Sequence, residues 1–148
     1  MRIRCPVCYT EHALEAILED EAARELMGVL ADLPREVSRP LVAYLGLWRS
    51  RTRALAWDRA LRIAREALAL HADTALVGVA LAETVEAIRA KRERGEDARP
   101  LSSHHYLRRV LETVAARGAA RLVTREERAV PASRTAQALA ALGRPYHE

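Results

Sequence analysis

A chain of 148 residues with 50% hydrophobic and 30% charged side chains and a formal net charge of +4 has the makeup of one globular domain with short appendages, which excludes collagen-like, fibrous and wholly disordered readings. Two cysteines are too few for a disulfide framework, so stability must come from packing, and no apolar run reaches the length of a membrane span. Met1 to Cys8 carries no apolar signal-peptide stretch, and a cytoplasmic location is expected.

Phe is absent, aromatic content is 4%, and Ala and Leu crowd the chain, which favours helix over sheet. The expected fold is all-α: a compact bundle of about five helices with a short N-terminal Cys-x-x-Cys arm and a C-terminal helical tail. Met1 to Tyr9 reads as the arm, one extended step and a tight turn, with Pro6 fixing its own φ inside the Cys-x-x-Cys loop. Thr10 is the expected N-cap of a first helix from Ala13 to about Leu30, where Leu14, Ile17, Leu18, Leu26, Val29 and Leu30 recur at three-to-four spacing. Pro34 ends it. Ser38 is expected to cap a short second helix with Pro40 in its first turn and Leu41, Tyr44, Leu45 and Trp48 on its buried stripe. After a polar break at Arg49 to Arg53, a third helix is expected over Leu55 to Leu70, with Trp57, Leu61, Ala64 and Leu68 on one face.

Asp73 can cap a fourth helix that runs to Arg94, with Lys91, Arg92 and Arg94 near its negative end and Gly95 as the residue beyond the cap. Gly95 to Leu101 reads as a loop. Ser102 or Ser103 opens a fifth helix carrying Tyr106, Leu107, Val110, Leu111 and Val114, which is expected to close near Gly118. Ala119 to Ser133 then reads as a linker with one short turn at Thr124 to Arg128, and Ser133 caps a last short helix with Leu139 and Leu142 on its apolar edge. So short a helix needs the core or a partner to fold on. The expected organisation is an arm over residues 1–12, a helical domain over 13–118, and a linker with a short helix over 119–148.

Charge is unevenly spread. Met1 to Leu33 holds three arginines against seven acids, whereas Pro34 to Ala72 holds eight arginines against three acids. Only Lys91 among the 24 basic residues is a lysine. An arginine excess beside an alanine excess is first a sign of GC-rich codons, so it is permissive for nucleic acid rather than diagnostic.

Cys5, Cys8 and His12 are three metal ligands within eight residues, and a Cys-x-x-Cys turn lets both thiolates reach one tetrahedral ion. A structural zinc at this arm would need a fourth ligand from His71, His104, His105, His147, Glu15 or a second chain, and the plain alternative is a pair of reduced thiols. Arg49, Arg51, Arg53, Trp57, Arg59 and Arg62, with Trp48, form the densest basic and aromatic interleaving, the mixture that binds single-stranded nucleic acid by tracking its backbone and stacking its bases. Trp48 and Trp57 also fall on predicted apolar stripes, where they would be core residues with solvated arginines around them. His104, His105 and Tyr106 begin the fifth helix, with Arg108 and Arg109 a turn on. This is a place either for ordinary capping and packing or for an anion, and it lacks the companions a catalytic site needs. Acids Glu19, Asp20, Glu21 and Glu25 form a face suited to a basic protein partner, with Leu139 and Leu142 as a second candidate contact.

The segment Pro100 to Leu111, with Tyr106 followed four and five residues later by Val110 and Leu111, resembles the closing motif of DnaD-type primosomal proteins and related phage replication proteins. Val114 stands where that family carries a later Trp. The resemblance covers about Leu41 to Val114, and the whole layout is similar to that of small prophage proteins found among replication genes. It implies a helical module whose closing motif contributes to contacts with single-stranded DNA and which assists replicative-helicase loading. Taken with the basic stretch, the expectation is a non-enzymatic replication accessory in which Arg49, Arg51, Arg53, Arg59 and Arg62 neutralise phosphates, with Arg108, Arg109 and Tyr106 as a second strip. Its protein partner would be a replicative helicase or another replisome component, and it could self-associate. The alternative is a protein-interaction module or inhibitor of a host system, with no role for DNA.

Overall fold

The computed structural model of the chain describes residues 2–4, 9, 11–13, 15, 19–50, 52–96 and 99–127. Helix dominates it, and the all-α expectation holds: five helices stand out among the described residues, preceded by two three-residue strands. These strands, β1 (Arg2–Arg4) and β2 (Glu11–Ala13), pair antiparallel with Arg2 opposite Ala13, Ile3 opposite His12 and Arg4 opposite Glu11. Residues 11–13 are therefore strand and not the lead-in to a helix capped at Thr10. The first long helix, α1 (Glu21–Asp32), starts later because Asp20 caps it, its carboxylate accepting the Ala23 N–H at 3.0 Å.

Helix α2 (Arg35–Leu47) also departs from expectation, beginning before Ser38 and carrying Pro40 in its interior. Pro40 has no N–H to give to the Glu36 carbonyl. That carbonyl lies where α2 crosses the next-but-one helix, and a Cβ built on Gly78 there would come within 3.0 Å of both Glu36 O and Val37 Cγ2. A bare backbone at 78 thus lets the two helices approach at the turn whose ladder the proline interrupts.

Helices α3 (Trp57–Leu68) and α4 (Thr74–Glu93) match the sequence reading closely. Asp73 Oδ1 accepts from Ala75 and Leu76 N–H at 2.9 and 3.2 Å. At the other end Gly95, at φ 75°, closes a Schellman turn in which Glu96 N–H bonds Lys91 O and Gly95 N–H bonds Arg92 O, both at 3.0 Å. Helix α5 (His105–Glu127) does not stop at Gly118 but runs through it, so the expected linker is helical as far as Glu127. The C-terminal helix with Leu139 and Leu142 lies outside the described residues.

Packing divides the chain into Met1–Val114 and Ala115–Glu148. In the first unit α2 packs on α4 and α1 on α3, around a core in which Leu41, Tyr44, Val77, Leu81 and Leu107 are essentially inaccessible to solvent. Among the described residues, no helix is long and apolar enough to cross a membrane.

Candidate nucleic-acid interface

The start of α5 is fixed by a buried polar knot. His104, 9% exposed, precedes the helix, and its Nδ1 lies 2.8 Å from the Tyr44 hydroxyl on α2 while its Nε2 lies 3.1 Å from Glu66 Oε2 on α3. A carboxylate only accepts, so in the neutral ring Nε2–H donates to Glu66 and Nδ1 accepts from the tyrosine. Burial pushes the His104 pKa below the ordinary imidazole value, against the pull of the Glu66 carboxylate toward the charged form. Burial likewise pushes the Tyr44 phenol up to about 12. The imidazole ring stacks near that of Tyr44, centroids 5.9 Å apart, and tilts against Trp48 at 5.0 Å. Three helices are tied together through one histidine.

The loop before α5 is pinned as well. Leu101 N–H bonds the Leu47 carbonyl at 3.0 Å, and Arg92 Nη2 reaches the same carbonyl at 3.1 Å and Arg99 O at 3.0 Å. Residues 101–104 are thereby held against the end of α2, and the exposed Ser102 and Ser103 face outward beside the helix start.

On this frame sits a hollow of about 440 Å³ walled by Arg59, Arg62 and Glu66 of α3, by Ser102 and Ser103, and by Arg108 of α5. Arg62 Nε lies 3.8 Å from Glu66 Oε1, one turn away on the same helix. Arg59 and Arg108 form no ion pair among the described residues. The first rung of α5 runs from Arg108 N–H to His104 O at 2.9 Å, so the N–H groups of His105, Tyr106 and Leu107 precede the ladder at the positive end of the helix. An adjoining hollow of about 470 Å³ shares Ser102, Ser103 and His105 and adds Arg99, Tyr106 and Arg109. Lys91 Nζ sits 5.0 Å from the centre of the Tyr106 ring.

The structure therefore brings together Arg59, Arg62, Tyr106, Arg108 and Arg109 around one helix start, although they come from two distant stretches of sequence. Arg49 and Arg53 are exposed on the loop between α2 and α3 and line neither hollow, and Arg51 lies outside the described residues. Trp48 is a core residue at 7% exposure, and Trp57 is half-buried against the core. The partners of His104 are not legible in the sequence, where Tyr44 reads as one more stripe residue of the second helix.

Elsewhere the acid cluster is partly spoken for. Asp20 caps α1, and Glu25 pairs with Arg65 of α3. Glu19 and Glu21 are exposed. Of the metal candidates, His12 lies in β2, whereas Cys5 and Cys8 lie outside the described residues. Among the described residues, no group of three or more His, Cys, Asp or Glu is placed to hold a metal ion.

The family model HI_1489_N, described as an N-terminal domain, matches residues 1–103. The chain belongs to the HI_1489_N family. A protein of Haemophilus influenzae strain Rd, itself described as uncharacterized, is 41% identical over 114 residues, which is 74% of this chain. The matched region spans 62% of that relative's length. No solved structure matches the chain. Arg59, Arg62, Glu66, Ser102 and Ser103 all fall within the HI_1489_N match, and Arg108 lies shortly after its last residue.

Proposed function

We infer that the protein is a non-enzymatic nucleic-acid-binding module that holds single-stranded DNA at the start of α5, as an accessory of phage-type DNA replication. The observation that carries this reading is the convergence of Arg59, Arg62 and Arg108 with two serine hydroxyls and the free N–H groups of a helix start. Guanidinium forks and backbone amides are the groups that neutralise and orient phosphates. Tyr106, half-buried in the neighbouring hollow beside Arg109, is the aromatic best placed to meet a base. The likeness of Pro100 to Leu111 to the closing motif of DnaD-type proteins adds the replication context. The test is anisotropy of a labelled oligo-dT across a salt series, in which Arg59→Ala and Arg108→Ala should each weaken binding.

The docking half of the reading is supported by a second surface. An apolar groove of about 580 Å³ between the start of α2 and the first half of α4 is floored by Val37, Gly78 and Val79 and edged by Glu36, Glu83 and Glu86. Val79 is 48% exposed. An apolar floor with acidic edges suits an amphipathic segment with basic flanks, which we assign to the replicative helicase. Binding to purified helicase should be lost in Val79→Arg while oligo-dT binding is kept. If the partner binds and no DNA does, the interaction-module alternative takes over. A structural zinc at Cys5, Cys8 and His12 is supported by their spacing and is tested by the metal content of the purified protein.

A further inference from the structure

We propose that the hollow between α3 and the start of α5 is a seat for a terminal phosphate, the phosphomonoester at the end of a nucleic-acid strand. This rests on the reading that the same face meets nucleic acid, and it adds that the strand is held by its end.

Charge favours such an end. Three guanidiniums and one carboxylate line the hollow, and Glu66 is offset by Arg62 at 3.8 Å, which leaves Arg59 and Arg108 for a ligand. With the partial positive charge of the helix start, that matches a phosphomonoester, which carries about −1.5 to −2 at neutral pH, better than a backbone phosphodiester with a single charge.

The donors match it too. A terminal phosphate offers three strong acceptor oxygens. The hydroxyls of Ser102 and Ser103, the leading N–H groups of α5 and Arg108 supply donors from the start of α5, and Arg59 supplies them from α3. Trp48 also lines the hollow.

The seat is also preorganised. The Leu101 and Arg92 bonds to Leu47 O and the His104 knot fix the serines and the helix start before any ligand arrives, so little ordering remains to oppose binding. About 440 Å³ accommodates a phosphate with its nucleoside, and the adjoining hollow lined by Tyr106 and Arg109 receives the next nucleotide of the strand.

The test compares four probes on the full chain by calorimetry at fixed salt: oligo-dT bearing a 5′-phosphate, oligo-dT bearing a 3′-phosphate, the same oligo with hydroxyl ends, and thymidine 5′-monophosphate. At least one phosphorylated oligo should bind about tenfold tighter than the hydroxyl-ended one, the gain expected of a charge-assisted contact. Arg108→Gln, checked for folding by circular dichroism, should erase that ratio. Equal affinity for all three oligos overturns the seat and leaves the DNA-binding reading standing. Thymidine monophosphate binding that Arg108→Gln removes, with no oligo binding, supports the seat for a free phosphomonoester and overturns the DNA-binding reading. No binding of any probe overturns both.

Discussion

Tyr44 donates its hydroxyl to Nδ1 of His104 across 2.8 Å and sixty positions of sequence, and this bond sets where α5 begins. The phenol is essentially inaccessible to solvent, and the imidazole that receives it is held on its other side by Glu66. Tyr44→Phe keeps the ring packing and strips the donor, leaving a buried acceptor unpaired. We expect a loss of about 1–3 kcal/mol in unfolding free energy, measured by chemical denaturation. Oligo-dT binding should weaken as well, because the helix start is no longer held.

The same histidine makes stability depend on pH. Its folded pKa is depressed by burial, so the unfolded chain takes up the proton first as pH falls through about 6.5. The contribution of the buried neutral ring is complete above that value, declines as pH drops toward the folded pKa, and levels off below it. Denaturation midpoints of the wild type should therefore fall on acidification over that window, and His104→Gln should show a shallower dependence. Parallel curves would mean that the ring is not held neutral in the folded protein.

Gly78 offers a test of the helix crossing. Gly78→Ala improves helix propensity by about 1 kcal/mol but drives a methyl to within 3.0 Å of Glu36 O and Val37 Cγ2. We expect the crowding to win, with a net destabilisation of about 1–2 kcal/mol by thermal or chemical denaturation. Gly28→Ala, at an exposed helical position with open space around it, is the control and should be neutral or stabilising.

Sequence distance separates the features that could be read in advance from those that could not. Features set by neighbours along the chain were readable: the Asp73 cap, the Gly95 turn and the apolar stripe of α3 all depend on residues within a turn or two. Features set by distant partners were not. Glu11–Ala13 reads as the first turn of a helix capped at Thr10, yet is strand because β1 pairs with it. Pro40 reads as a first-turn residue and is interior because α2 is held by its packing on α4. Gly118 reads as a stop, but alanines around it carry the helix past. The site shows the same division. Its arginines stand out in the sequence, but the grouping of Arg59 and Arg62 with Arg108, and the separation of Arg49 and Arg53 from them, depend on the fold. Ser102 or Ser103 reads as the opening of a helix, and in the fold both wall the hollow.

In the proposed function the arginines around the start of α5 bind the phosphates of single-stranded DNA. The most direct test is the salt dependence of oligo-dT binding for the wild type and for a variant carrying Arg59→Ala, Arg62→Ala and Arg108→Ala together. Wild-type affinity should fall linearly on a log-log plot, and the variant should bind more weakly with a slope shallower by about 2, the value for three lost phosphate contacts on a single strand. A variant that matches the wild type in affinity and slope, or a wild type that binds no DNA at low salt, would contradict the claim.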